Sequence, residues 1–408
     1  MNKRITLGAA ITMAIMLATV TFIVTKIYAE SNFGNTVFNI KERETMYSKL
    51  SEVDRLVRQN YYNTIDEDVL ASNLVKGYVS GIEDVYGMYL TAEQYAETHS
   101  NLEGRMVDIG IVCSQDADGY ILIDEVYPDS PASVSELMAG DLIIQVDELP
   151  ITIENYLEAV DALKGEPGTT VTIIIRRDNT DTTYTIIRRN VEVPSVVSNT
   201  IQNIGYLKIK EFNDNTPAQF TKELDKLIAS GVHALIFDVR NNPGGTIESA
   251  SSILDTLLPE GPIIRASYRG DTAPRILSSS APEEITLPMV VLMNAKSASD
   301  AELFAQALRD YNKAKLVGVT TYGKGSMQQI HKLSDGSALS LTIARFYPPF
   351  SDNFEGIGVK PDYEVALPSD LEKILDSLDE QSDLQLKKAL EVAESMIKIS
   401  EEEQPPQS

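Results

Sequence analysis

Ser299, Lys324 and Gln328 follow one another in the stretch from Met289 to Gln329, and their side chains suit acyl transfer. A serine hydroxyl attacks a carbonyl only when a base takes its proton. Lysine can be that base if its amine is neutral, and burial away from water depresses a lysine pKa. Glutamine can accept a hydrogen bond from the amine without adding charge, whereas Asp or Glu in its place would stabilise the ammonium form. One geometric condition attaches to the trio. Residues four apart are neighbours on a helix but about 13 Å apart along a straight strand. Contact between Lys324 and Gln328 therefore needs a bend, which Gly325 can supply.

The elements that must position these residues follow from pattern. Met289 to Met293 is an apolar run that reads as a buried strand. A turn of small and polar residues follows, and then Ala301, Leu303, Phe304, Ala307 and Leu308 recur at helical spacing. Ser299 thus falls on a strand-to-helix turn, where a hydroxyl can be held near amides without intrahelical partners. A second buried strand, Ala234 to Val239, runs into Asp238-Val239-Arg240-Asn241-Asn242-Pro243-Gly244-Gly245. Its glycines permit backbone amides to face a developing oxyanion, and the helix that follows adds a positive dipole end. A phosphate loop would require a Walker lysine, which this turn lacks.

Composition narrows the remaining classes. The 408 residues suffice for two or three domains, and 43% hydrophobic content supports sizeable cores. A net charge of −25 with no basic patch argues against nucleic-acid binding. Cys113 is the one cysteine, so no intrachain disulfide forms, and its apolar setting predicts a buried, inert thiol. His99, His233 and His331 have no HExxH pattern or clustered carboxylates beside them, so neither a metal nor a cofactor is expected. A Ser-His-Asp hydrolase built on His331 or His233 is the weaker alternative chemistry.

The order Ser297-Ala298-Ser299, Thr321-Tyr322-Gly323-Lys324-Gly325, Gln328 resembles the carboxyl-terminal processing (tail-specific) serine proteases. Their signature is S-A-S, T-[FY]-G-K-G and a glutamine four residues after the lysine. Asp238–Gly245 matches their D-[LV]-R-x-N-P-G-G in full, Ile204–Ile209 resembles their G-Y-[IL]-x-[IL] strand, and Gly356–Asp362 their G-x-G-[IV]-x-P-D. The likeness covers most of the chain from about Leu50 to Leu390. It implies a serine-type endopeptidase with Ser299 as nucleophile, Lys324 as base and Gln328 as its orienting amide. It further implies an oxyanion hole made by the backbone amides of Gly244 and Asp300, the residue after the nucleophile.

Between Gly104 and Asn190 the chain resembles a PDZ domain, with Ser130-Pro131-Ala132 and Gly140-Asp141-Leu142-Ile143 matching S-P-A…G-D-x-I. Glu136 stands where relatives usually have glycine, and Ala139 where they have proline. Such domains add a peptide as a strand and cap its terminal carboxylate with backbone amides, here those of Ile109, Gly110 and Ile111. Asp108 beside this loop would repel a ligand carboxylate unless it turned outward. Two further departures bear on the chemistry. Where the family has Ala-Ser-Glu after the nucleophile, this chain has Asp300-Ala301-Glu302; an inward Asp300 side chain would oppose an oxyanion and favour charged Lys324. The family's L-D-P-Y-S-x-Y-L is replaced by the divergent Ile82–Leu90. A catalytically impaired PDZ adaptor on a protease fold is therefore the alternative function.

The resulting expectation is an α+β, multidomain chain. Residues 1–30 form a signal peptide or signal-anchor helix, since Lys3 and Arg4 precede the uncharged stretch Ile5–Thr25. Residues 31–103 form a helical region, helical from Phe38 to Glu97, that in relatives helps dimerisation. Residues 104–190 form the PDZ module, a β-barrel-like unit with a second helix from Ile153 to Leu163. Residues 191–366 form a mixed α/β protease core, ClpP/crotonase-like by resemblance. Residues 367–400 carry the last helix, opened by Ser382 with Gln385 in capping-box spacing, and 401–408 a disordered tail. The expected partners are protein or peptide substrates with exposed carboxyl-terminal tails, the membrane through the first segment, and a second copy of the chain. The expected location is the cell membrane with the catalytic part outside the cytoplasm, or secretion after cleavage.

Overall fold

The computed structural model describes residues 40–403 apart from 282 and 283, together with residues 8, 13, 16–23, 25 and 26. Ten of the 21 residues of Ile5–Thr25 and the last five residues of the tail lie outside the described residues. Among those described, no helix is long and apolar enough to cross a membrane. The chain divides into two units, Met1–Asn73 and Leu74–Ser408.

The first unit holds α1 (Ile40–Asn60) and the start of α2 (Glu67–Ser80). Arg58 ties the two together by bonding Asp54 at 2.8 Å and Glu67 at 2.6 Å. Val53, Leu56 and Val57 recur at helical spacing as expected, yet remain exposed. The second unit opens with β1 (Met88–Leu90) and α3 (Ala92–Leu102). The expected helical run to Glu97 is thus broken by a strand. Asp84 bonds the Tyr86 amide and folds the chain into a turn, after which Met88–Leu90 pairs antiparallel with Ala338–Ser340.

The β-rich module follows. A ribbon of β2 (Arg105–Asp108) and β9 (Arg189–Glu192) ties its ends together. Its main sheet runs β3 (Ile111–Gln115), β4 (Ile121–Val126), β5 (Leu142–Val146), β7 (Thr170–Arg177), β8 (Thr180–Ile187), with β6 (Leu149–Pro150) beside β5. The sheet closes over Ile121, Ile123, Ile143, Ile173 and Ile175, packed against Ala159 and Leu163 of α4 (Tyr156–Leu163). That helix starts three residues later than its apolar pattern suggests, because Asn155 first bonds the Thr152 amide and the Pro150 carbonyl in a turn.

The remaining core is a six-stranded sheet ordered β10 (Val196–Ile201), β11 (Ile204–Ile209), β12 (Ala234–Asp238), β15 (Met289–Met293), β16 (Ala314–Gly318), β19 (Tyr363–Glu364). All pairs after β10–β11 are parallel. Every residue of β12 and β15 is buried, as parallel strands covered on both faces require. On one face Leu235, Phe237, Val291 and Leu316 meet α5 (Thr216–Ala229), α6 (Ile247–Leu257) and α7 (Asp300–Asp310). On the other, Ile236, Val290, Leu292 and Val317 meet Leu386, Ala389, Val392 and Ala393 of α8 (Leu384–Glu403). A second sheet, ordered β1, β18 (Ala338–Tyr347), β13 (Gly261–Tyr268), β14 (Arg275–Ser280), also pairs β17 (Ser326–Lys332) with β18.

The cap of α8 differs from expectation. Asp383, not Ser382, accepts the amides of Gln385 and Leu386, each at 3.0 Å, while the Ser382 hydroxyl donates to Asp379 at 2.6 Å. Asp383 is placed there by Arg240, whose guanidinium bonds Asp238 at 2.6 Å and Asp383 at 2.8 Å, all three side chains being almost fully buried. Arg240→Ala leaves two uncompensated carboxylates inside the protein, a change that costs about 3–5 kcal/mol. Urea denaturation of the variant should show that loss; a difference below ~1 kcal/mol would mean the pair is solvated.

Candidate active site

Three loops converge at the carboxyl ends of β12, β15 and β16. The first is the turn Val239–Gly245. Asn241 and Asn294 bond each other reciprocally, amide to side chain at 3.0 Å and side chain to side chain at 2.8 Å, which joins it to the second loop, Asn294–Ser299. The Ser297 hydroxyl donates to the Val239 carbonyl at 2.7 Å, and the Ala298 amide to the Asn242 carbonyl at 3.0 Å. The third loop, Thr320–Gly325, is joined by the Tyr322 amide on the Ser297 carbonyl at 3.0 Å.

Ser299 caps α7 with φ 56° and ψ −115°, a left-handed backbone that only a tightly held non-glycine residue keeps. What holds it is Glu302, a fully buried side chain one turn into the helix. Its Oε2 accepts the Ser299 amide at 2.9 Å and the Lys324 amide at 2.8 Å, and its Oε1 accepts the Gly323 amide at 2.7 Å and the Thr321 hydroxyl. The nitrogens of Ser299 and Lys324 share one oxygen atom, so they lie no further apart than those two bonds allow. Burial raises the Glu302 pKa, and its four donors act the other way. The residue was not singled out from sequence, although Ser299-Asp300-Ala301-Glu302 has the S-x-x-E spacing of a capping box.

Lys324 is half-buried. Burial lowers its pKa, while Asp300, Glu355 and Glu302 pull it back up. Its Nζ lies 5.1 Å from the centroid of the Tyr86 ring. Tyr86 is itself pushed up to about 12, by burial first and then by the charge of Glu355. Gln328 does not bond Lys324. Its Nε2 donates to the hydroxyls of Ser326 and Thr342, each at 3.2 Å. Thr342 in turn donates to Asp84 at 2.8 Å, and the other Asp84 oxygen accepts the Thr342 amide at 2.8 Å. The bend that the spacing demanded is a register shift between Met327 and Gln328 in the β17–β18 ladder, the kind of bulge that re-aims a side chain.

The glycine turn faces this group closely. A Cβ on Gly244 would stand 2.9 Å from Ser299 Cβ, and its φ of 101° also favours glycine. The Gly244 amide donates to Asn242 Oδ1 at 2.8 Å, and the Gly245 amide to Asp300 Oδ2 at 3.1 Å. Asp300 is therefore turned inward. Only 2% of it is exposed, and its Oδ1 has no hydrogen-bond partner. Burial pushes its pKa up to about 6, against the pull of the Gly245 amide and of Lys324. The histidine alternative fails on geometry: His233 is exposed and bonds Asn203 at 3.2 Å, and His331 is exposed on β17. Among the described residues no group of His, Cys, Asp and Glu could hold a metal. Cys113 is only half-buried, and its thiol is pushed up by burial.

Residues 203–365 match peptidase family S41, and residues 122–177 match the PDZ domain. A CtpA-like serine protease of Staphylococcus epidermidis is 28% identical over 330 residues, 80% of this chain and 67% of the relative. The carboxy-terminal processing protease CtpA of Bacillus subtilis is 29% identical over 328 residues, 80% of this chain and 70% of the relative. The chain thus spans about two thirds of the length of these curated relatives. A crystal structure of an S41 protease from Bacteroides fragilis superposes with a TM-score of 0.53 at 18% identity, covering 84% of this chain and 97% of that one, which supports the fold. Fold and sequence together define a PDZ-bearing serine peptidase. The chain carries a family S41 peptidase domain over residues 203–365, and its homologues are named carboxy-terminal processing proteases.

The buried Asp300 has a measurable consequence for stability. In the folded protein it keeps its proton up to about pH 6, against an ordinary value of 3.8. Between those values the folded state binds more protons than the unfolded one, so stability falls as pH rises through that window. Asp300→Asn removes this loss. Its stability relative to the parent should grow between pH 4 and pH 7.5 by on the order of 3 kcal/mol. A pH-independent difference in denaturation midpoints would show that the parent carboxyl is not titrating there.

Proposed function

We propose that this chain is an endopeptidase that binds substrate chains through its PDZ module and cleaves them with a Ser299–Lys324 dyad. The observation that carries this reading is the single carboxylate oxygen of Glu302 holding the amides of both residues. Ser299 Oγ attacks the scissile carbonyl and passes its proton to the neutral amine of Lys324. The resulting ammonium then protonates the leaving amine, and water attacks the acyl-enzyme by the reverse route. No metal or cofactor takes part. Gln328, fixed by Ser326 and Thr342 through its NH2 end, keeps its carbonyl oxygen available as an acceptor for the Lys324 amine as the site closes on substrate.

The oxyanion is received by the Asp300 amide at the positive end of α7, joined by the Gly244 amide once that group leaves Asn242. Ionised Asp300 works against this step and keeps Lys324 protonated. A cleft of about 1000 Å³ is lined by Val112 and Glu125 of the PDZ module, Tyr206 and Lys208 of the central sheet, and Asn241 of the glycine turn. It supports a path from the PDZ edge toward the three loops, although Ser299 and Lys324 do not themselves line it. The uncharged Ile5–Thr25 stretch supports a location of the catalytic unit outside the cytoplasm, tethered or released. Digestion of the chain by protease added to intact cells checks this, and full protection would count against it.

With chelator present, Ser299→Ala and Lys324→Ala should each lower cleavage of an unfolded reporter protein by at least about 10³-fold. Full activity in either variant would sink the dyad. In the parent, kcat/KM should rise with pH as Lys324 loses its proton, with the limb displaced below the ordinary lysine range because burial lowers that pKa. In Asp300→Asn the limb should move lower still, since a negative charge beside the amine is gone.

A further inference from the structure

The PDZ loop that would hold a ligand carboxylate already contains one. Asp108 ends β2 with 6% of its surface exposed, and it accepts a hydrogen bond from the Ile109 amide. Burial pushes the pKa of this carboxylate up, against the pull of the Ile109 and Gly110 amides. The loop cannot easily open to release these amides. The Ile109 carbonyl accepts the Ala132 amide at 2.8 Å, and the Gly110 carbonyl accepts the Tyr127 amide at 3.0 Å. Gly110 has φ 86°, and a Cβ there would stand 2.3 Å from Ser130 Cβ. The strand after the loop, β3, is the edge of its sheet and pairs only with β4, leaving one row of backbone groups for an added strand.

The two cations whose charges act on Asp108, Arg188 and Lys164, are held by other groups. The Arg188 guanidinium donates to the carbonyls of Leu163 at 3.0 Å, Thr170 at 2.9 Å and Ala162 at 2.8 Å, and to the Thr169 hydroxyl at 3.1 Å. The Lys164 ammonium pairs with Asp161 at 3.2 Å. The other titratable groups that sense Asp108 are the Cys113 thiol and the Tyr127 phenol, neither of them cationic. A second carboxylate entering the loop would meet a like charge and an amide already spent on Asp108.

We propose that Asp108 is a resident stand-in for a ligand carboxylate, and that the groove along β3 therefore takes an extended segment without a free carboxyl end. This rests on the reading that the PDZ module holds substrate, and it narrows the substrate class to internal stretches or chains with a blocked terminus. Asp108 is then a specificity-determining residue: its charge excludes free tails and its oxygens fill the amides that would cap them.

The test uses full-length chain carrying Ser299→Ala, so that bound peptide is not cleaved. The probe is a fluorescein-labelled peptide ending Ala-Leu-Ala-Ala, made as the free acid and as the carboxamide, with fluorescence polarisation read at pH 7.5. The carboxamide should bind at least about tenfold more tightly, because like charges brought together are costly. Asp108→Asn, which keeps the loop's shape and removes the charge, should bring the ratio near one. Asp108→Gly, which frees the amides, should reverse it in favour of the free acid. Tighter binding of the free acid by the otherwise unchanged chain would overturn the proposal while leaving the PDZ reading intact, as would a ratio unmoved in both Asp108 variants. Binding of neither peptide form would overturn both.

Discussion

The four hydrogen bonds on the buried Glu302 carboxylate are the constraint on which the site depends. A carboxylate in a low-dielectric interior is costly unless its lone pairs are filled. Glu302 fills them with backbone and hydroxyl donors from two loops, which the Tyr322 amide on the Ser297 carbonyl also joins. The penalty of burying the charge thereby enforces the alignment: if either loop drifts, a charged oxygen is left short of partners. The strained backbone of Ser299 is sustained by the same bonds. Lys324 then inherits its distance from the serine through its own amide, with its long side chain left free to respond to burial.

Asp108 and Asp300 use the same physics in the opposite sense. Each is an inward carboxylate at a place where an anion from outside is expected, and each is bonded to a backbone amide of its turn. Glu302 is fully partnered, whereas Asp300 leaves one oxygen without a donor. Glu302 thus joins two loops of the candidate site, while Asp108 and Asp300 each occupy a backbone amide of a turn. Neutral amides and positive helix ends attract internal carboxylates as readily as they attract substrate.

Much of this was legible in the residues. The apolar runs at Ala234–Val239 and Met289–Met293 are wholly buried strands, and Ser299 sits on the turn that the helical spacing of Ala301, Phe304 and Leu308 requires. These are local patterns, and local pattern fixes local structure well. What was missed is non-local or depends on side-chain direction. The hydrogen bonds of Asp84 to Thr342 join residues 258 positions apart, and the strand at Met88–Leu90 exists only because Ala338–Ser340 pairs with it. Whether Asp108 and Asp300 face inward could not be read from their neighbours, because a short acidic side chain at a turn or a helix start is equally at home in water. The choice of Asp383 over Ser382 as the cap of α8 follows from Arg240, again a partner distant in sequence.

The covering of the central sheet by α8 bears on how the protein is made. Ile236, Val290, Leu292 and Val317 have their apolar partners in residues 386–397, near the end of the chain. Arg240 likewise waits for Asp383. A ribosome delivers the serine, the lysine and their clamp well before it delivers the helix that closes the sheet's far side. A partly synthesised chain would therefore carry the reactive groups on an unfinished, apolar-faced sheet, and the peptidase fold is completed only after the last helix has emerged.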